Sequence, residues 1–178
     1  MALDVISNTN LVSHEMHSRI ERFYYAEAAL LQKRLYREWF EKVIAEDIHL
    51  WMPIWEERFV RDRRSEPTPD DAAIYNDRYE DLKMRVERLY TGMVWMEDPP
   101  SRIRYFITNV EAVQVGGEEF ETACNVFVVR NRRQLQITQH SLGREDLLRR
   151  DGDSFRVARR KLLVDARVTQ DKNLYFFV

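Results

Sequence analysis

After Pro99 and Pro100 the chain reads as β structure to its end, and that run of strands and tight turns most constrains the fold. Residues 103–115 and 118–130 read as two successive strands. Gly116-Gly117 separates them as a two-residue hairpin, because glycine accepts the positive φ angles of a type I′ turn. A turn over 131–134 leads into a strand over 135–147, and Asp151-Gly152 turns the chain into another over 155–164. The stretch 173–178 (NLYFFV) is apolar enough to be a buried end.

Upstream the period is helical. Ile20, Phe23, Tyr24, Glu27, Ala28 and Leu31 hold three- and four-residue spacings, with Ser13 favoured over Ser18 as the N-cap. Leu35, Trp39, Phe40, Val43 and Ile44 form a second amphipathic run, so two adjoining helices or one bent helix satisfy the pattern equally. Residues 47–55 (DIHLWMPIW) are aromatic and β-branched, a strand with Pro53 near its end. Residues 56–71 are charged, contain Pro67 and Pro69, and read as an extended arm. Asp70 or Asp71 then caps a helix through Ile74, Tyr75, Leu82, Val86 and Leu89. Without repeats, low-complexity tracts or linkers, a single domain over 1–178 is expected, its residues 1–12 flexible. Helices followed by a meandering antiparallel sheet predict an α+β domain, the helices packed on one face of a curved sheet.

The chain has 178 residues, 44% of them hydrophobic and 12% aromatic, enough for a substantial core. Charged residues reach 33%, yet the net charge is −2, so no overall field draws the chain to nucleic acid or to an anionic membrane. No apolar run approaches the ~20 residues of a spanning helix, and residues 1–10 lack the basic and apolar regions of a signal peptide. Cys124 is the only cysteine, a usage consistent with a reducing compartment. A soluble cytoplasmic protein is the expectation.

Several stretches carry a resemblance to a known family. Glu21-Arg22-Phe23-Tyr24-Tyr25-Ala26-Glu27-Ala28, followed by Leu30, Leu31, Trp39 and Phe40, is one, and Asp47-Ile48-His49 with Met52-Pro53 is another. The block from Asp98-Pro99-Pro100-Ser101-Arg102 to Asn109-Val110 is the most specific. Phe120-Glu121 with Val126, Phe127 and Arg130-Asn131-Arg132 continues the match. Ala158-Arg159-Arg160, Leu163-Val164-Asp165 and Asn173-Leu174 before Phe176-Phe177 complete it. In this order the segments resemble the β (small) subunits of bacterial aromatic-ring-hydroxylating dioxygenases, over almost the whole chain. The resemblance implies a cystatin-like or NTF2-like cone, and an α3β3 partnership with a larger α subunit. It places a Rieske [2Fe-2S] centre and a mononuclear Fe(II) on that α subunit. Electrons would come from NADH through a reductase and often a ferredoxin, and the complex would form a cis-dihydrodiol. On this chain it implies no cofactor and no catalytic residue.

The residues agree with that division. A Rieske centre needs two cysteines and two histidines, and one cysteine excludes it here. Four histidines remain, His14, His17, His49 and His140; His14 and His17 share a helical spacing, for which a solvent-exposed helix end is the plainer reading. His140 sits in a polar strand and is read as interface or solvent-facing. Asp47 and His49 alternate along one strand and leave open a standalone isomerase or dehydratase working inside the cone. A ligand-binding module without catalysis is a third reading. Glycine-rich phosphate loops and the Gly-x-Ser-x-Gly elbow are both absent. Tryptophan and arginine together typify protein interfaces. The expected subunit contacts are Trp55, Arg58, Phe59 and Arg61 on the arm, Arg102, Arg104, Arg130 and Arg132 on the strands, and Tyr175 and Phe176 near the end.

Overall fold

A computed structural model describes residues 11–54, 59–63, 65–93, 99–133, 135–166 and 177–178. Helix α1 (His14–Gln32) starts where Ser13 accepts a hydrogen bond from the Met16 N–H at 3.2 Å, the N-cap expected. Its buried face is Ile20, Phe23, Tyr24, Glu27, Ala28 and Leu31. Arg34 takes a positive φ of 61°, which ends that helix, so α2 (Tyr36–Val43) is separate rather than a bent continuation. α2 passes directly into β1 (Ile44–Pro53). Then come β2 (Ala73–Asp77), α3 (Tyr79–Arg88), β3 (Arg102–Gly116), β4 (Glu119–Arg132), β5 (Gln136–Asp151) and β6 (Ser154–Val164).

The helix expected through Ile74 and Tyr75 begins later. Those two residues lie in β2, which pairs antiparallel with β1, and α3 starts at Tyr79 with the Arg78 N–H donating to Asp81 at 3.0 Å. Asp71 instead closes a turn, accepting from the N–H and hydroxyl of Thr68. The first hairpin is also displaced by one residue. Gly116 pairs with Glu119, so Gly117 and Glu118 form the turn, and Gly117 takes φ +51°.

The strands form one sheet in the order β2-β1-β6-β5-β4-β3. It is mixed rather than wholly antiparallel, because β6 runs parallel to β1. The hairpin-linked strands β3 to β6 alternate direction, and the last of them returns beside β1 pointing the same way. The described helices α1, α2 and α3 pack against this sheet, which with them buries the core. Leu11, expected to be flexible, bridges Val113, and Val12 packs against the core.

Two of the register shifts in the sheet bear on its curvature. In β3 the pairing slips between Thr108 and Glu111, with Asn109 at φ 52°; asparagine tolerates this left-handed conformation better than most residues. Inward-facing Ile103 and Tyr105 give way there to inward-facing Ala112. In β6 the slip falls at Ala158, because Leu148 pairs with Val157 while Leu147 pairs with Arg159. Bulges bend a strand and raise its twist, so both favour a sheet curved about α1.

Candidate functional site

The space between helices and sheet holds charge. Thr122, Asp146 and Arg160 lie side by side on β4, β5 and β6 and point inward, with Arg144 one inward position away. Glu27 meets them from α1. Arg160 is 0% exposed and Glu27 is 1% exposed. Arg160 donates to Glu27 at 2.7 and 3.1 Å, to Asp146 at 2.9 and 2.8 Å, and to the main-chain oxygen of Val178 at 2.9 Å. All five N–H groups of this guanidinium are therefore engaged. Arg144 pairs with Glu27 at 3.1 Å and lies 4.3 Å over the Tyr24 ring. Trp39 Nε1 donates to Glu27 at 3.0 Å, and the Tyr24 hydroxyl bonds Thr122 and Asp146.

Burial pushes the Glu27 carboxyl up, but Arg160 and Arg144 outweigh it and hold the group at about 2, from an ordinary 4.5. Burial opposes the Arg160 charge too, and Asp146 and Glu27 more than compensate, so its pKa lies well above the ordinary value. Burial, reinforced by Asp146, raises the Tyr24 phenol, and burial raises the Cys124 thiol. Glu27 and Arg160 are thus held in their charged forms, and Tyr24 and Cys124 in their neutral forms, near neutrality. Residue spacing does not assemble this cluster, although a signal for it exists: Glu27 interrupts the apolar stripe of α1, and Arg144 and Asp146 occupy inward positions of β5.

Asp47 and His49 are not part of that interior. Ile48, Leu50 and Met52 are the inward residues of β1, so Asp47 and His49 point away from the helices. Asp47 pairs with Arg149 at 3.1 Å on the surface. His49 Nε2 lies 2.7 Å from Asn76 Oδ1, and Asn76 Nδ2 donates to the Pro69 carbonyl. These contacts tie the arm to the outer sheet face over a groove of about 380 Å³, walled by Trp51, Glu121, Arg159 and Lys161 among others. Arg159 pairs with Glu121 at 3.0 Å, and Lys161 with Glu145 at 3.7 Å. An acid–base pair inside the cone is therefore not formed.

The expected contact residues are scattered. Trp55, Arg58, Tyr175 and Phe176 lie outside the described residues. Phe59 is 79% exposed, with the Arg61 guanidinium 5.7 Å from its ring. Arg102 and Arg104 are exposed on β3, and Arg132 is half-buried at the end of β4. Arg130 is buried and donates to Ser101 at 3.0 Å, so it supports the inner face of the sheet. On the outer face Phe106 and Phe127 pair across β3 and β4 with ring centroids 6.1 Å apart, and Ile137 is exposed nearby on β5. His140 is buried on β5, contrary to the surface position expected. His14 is exposed, and His17 Nε2 lies 2.9 Å from the Val110 carbonyl oxygen.

Among the described residues no group of three or more His, Cys, Asp or Glu side chains is placed to hold a metal ion. No described helix is long and apolar enough to cross a membrane.

Residues 26–171 match the family model described as the ring hydroxylating beta subunit. The beta subunit of benzene 1,2-dioxygenase from Pseudomonas putida is 36% identical over 170 residues, covering 93% of this chain and 90% of that protein. The beta subunit of biphenyl 2,3-dioxygenase from Rhodococcus jostii is 36% identical over 172 residues, with the same coverage of both. A chain of naphthalene 1,2-dioxygenase, solved with indole in its active site, superposes with a TM-score of 0.85 at 27% identity, covering 98% of this chain and 91% of that one. A cystatin-like protein from Nostoc punctiforme shares the fold at a TM-score of 0.55 and 14% identity, covering 87% of this chain and 95% of that one. By these matches and by its architecture, the chain belongs to the family of ring-hydroxylating dioxygenase β subunits.

Proposed function

We propose that this chain is the non-catalytic small subunit of a terminal oxygenase, holding larger α subunits in an α3β3 assembly in the cytoplasm. The observation that carries the reading is the interior of the cone. Where a cone-shaped enzyme keeps its substrate cavity, Glu27, Asp146, Arg144 and Arg160 fill the space with mutually paired charge. Among the described residues, neither carboxylate of this cluster stands free for a substrate, and chemistry is left to a partner. The α subunit would hold the Rieske centre and the mononuclear iron, which together supply electron transfer and oxygen activation for cis-dihydroxylation of an arene. Electrons would reach it from NADH by way of a reductase, with or without a ferredoxin.

This chain's task is contact. Phe59 and Arg61 on the arm supply exposed aromatic and arginine surface, as do Phe106, Phe127 and Ile137 with Arg102 and Arg104 on the sheet. Obligate interfaces bury ~2,000 Å² or more, so such patches would be covered in the assembly. Trp55, Arg58, Arg132, Tyr175 and Phe176 are assigned to the same role, whereas Arg130 acts from within the fold. Co-expression with a Rieske-type α chain encoded beside it tests the proposal. A hexamer that hydroxylates an arene, with neither chain active alone, is the expected result; turnover by this chain alone refutes it.

A further inference from the structure

One acceptor in the interior cluster comes from neither helix nor sheet. Glu27 and Asp146 take four N–H groups of Arg160, and the remaining Nη1 N–H donates to the main-chain oxygen of Val178 at 2.9 Å. One residue earlier, the Phe177 ring stacks on Trp39 with centroids 4.8 Å apart and planes at 28°. It meets Tyr36 edge-on at 5.5 Å. The Phe177 carbonyl accepts a hydrogen bond from the Tyr105 hydroxyl at 2.7 Å. Trp39 also donates to Glu27, so the aromatic slot and the ion cluster share a wall.

These are the features of a small-ligand site: buried aromatic walls from α2 and a few convergent donors, Tyr105 from β3 and Arg160 from β6. Two residues fill it through one ring and two carbonyl oxygens.

We propose that the cone contains a binding site for an aryl group bearing a carbonyl two carbons away, and that Phe177–Val178 is its resident occupant, bound in cis. The site recognises a phenylalanyl peptide or a compound with the same aryl–carbonyl spacing. Tethering gives the resident segment a high effective concentration, so the full chain binds no free ligand there. Removing the segment leaves the Arg160 N–H and Tyr105 O–H buried without acceptors and opens the face of Trp39.

The test is thermal unfolding of a variant lacking Phe177 and Val178, with N-acetyl-Phe-Val-amide as the probe and N-acetyl-Ala-Val-amide as the control. The variant should melt roughly 6–20 °C below the full chain, as for loss of a packed aromatic residue in a domain of this size. Millimolar N-acetyl-Phe-Val-amide should raise that temperature, N-acetyl-Ala-Val-amide should not, and the full chain should respond to neither. Equal responses to both dipeptides, or none from a folded variant, overturn the proposal. If the deletion prevents folding, Phe177→Ala takes its place with toluene as the probe, because an apolar cavity of ring size accepts an aromatic guest. Toluene should raise the melting temperature of that variant alone, and no shift in it overturns the proposal as well.

Discussion

Replacing Glu27 with glutamine keeps the shape of the side chain and removes one of the negative charges facing Arg144 and Arg160. The fall of its pKa from 4.5 to about 2 corresponds to about 3 kcal/mol in favour of the folded carboxylate. Breaking a buried pair from one side costs ~3–5 kcal/mol, so two routes arrive at the same size. Because the folded pKa is depressed, this stability is fully present above the unfolded value near 4.5. It is lost as pH falls from there through about 2. Glu27→Gln should therefore cost about 3 kcal/mol at pH 7 in urea denaturation followed by tryptophan fluorescence. The gap between the two proteins should close as pH falls through that window, because the wild-type carboxyl becomes neutral. A cost under ~0.5 kcal/mol at pH 7, the range of ordinary surface changes, would refute the reasoning, and so would a gap independent of pH.

Deleting Ala158 should remove the β6 bulge while leaving Arg159 opposite Leu147 and Arg160 opposite Asp146, so it should cost less than the ~3–5 kcal/mol of a broken buried pair, measured by the same denaturation. Ser13→Ala should cost ~1 kcal/mol of stability through loss of the α1 cap, with no change in assembly by sizing chromatography. Phe106→Thr with Phe127→Thr should shift the melting temperature of the isolated chain by only a few degrees while lowering the hexamer fraction when mixed with an α subunit. Asp47→Asn should leave oxygenase turnover by the assembled complex within about twofold, since Asp47 only pairs with Arg149 on the surface, outside the cone.

Most of the secondary structure was legible in order and kind. The α1 stripe, its Ser13 cap and the long strands after Pro100 follow from spacing and cap chemistry, which are local properties. The early part of the 73–89 segment misled because Ala73 to Asp77 suits either a helix start or a short edge strand; pairing with β1 decides it, and that contact is not local. His140 is buried although Gln136 and Thr138 share its face of β5, because burial along that face begins only at His140, where the strand enters the core.

The sequence alone established an α+β chain with helices before strands, one cysteine, and no residue set for a Rieske centre. Its segments from Glu21 to Phe177 carry the resemblance to the β-subunit family by themselves. The parallel contact of β6 with β1, and the interior cluster, belong to the tertiary structure. Arg159 and Arg160 are adjacent and identical in chemistry, and alternation would place one inward without saying which. The one-residue slip at Ala158 turns Arg160 into the core and Arg159 to the surface. A side-chain period of two makes that slip reverse every face beyond it, and only pairing with β5 determines where it falls.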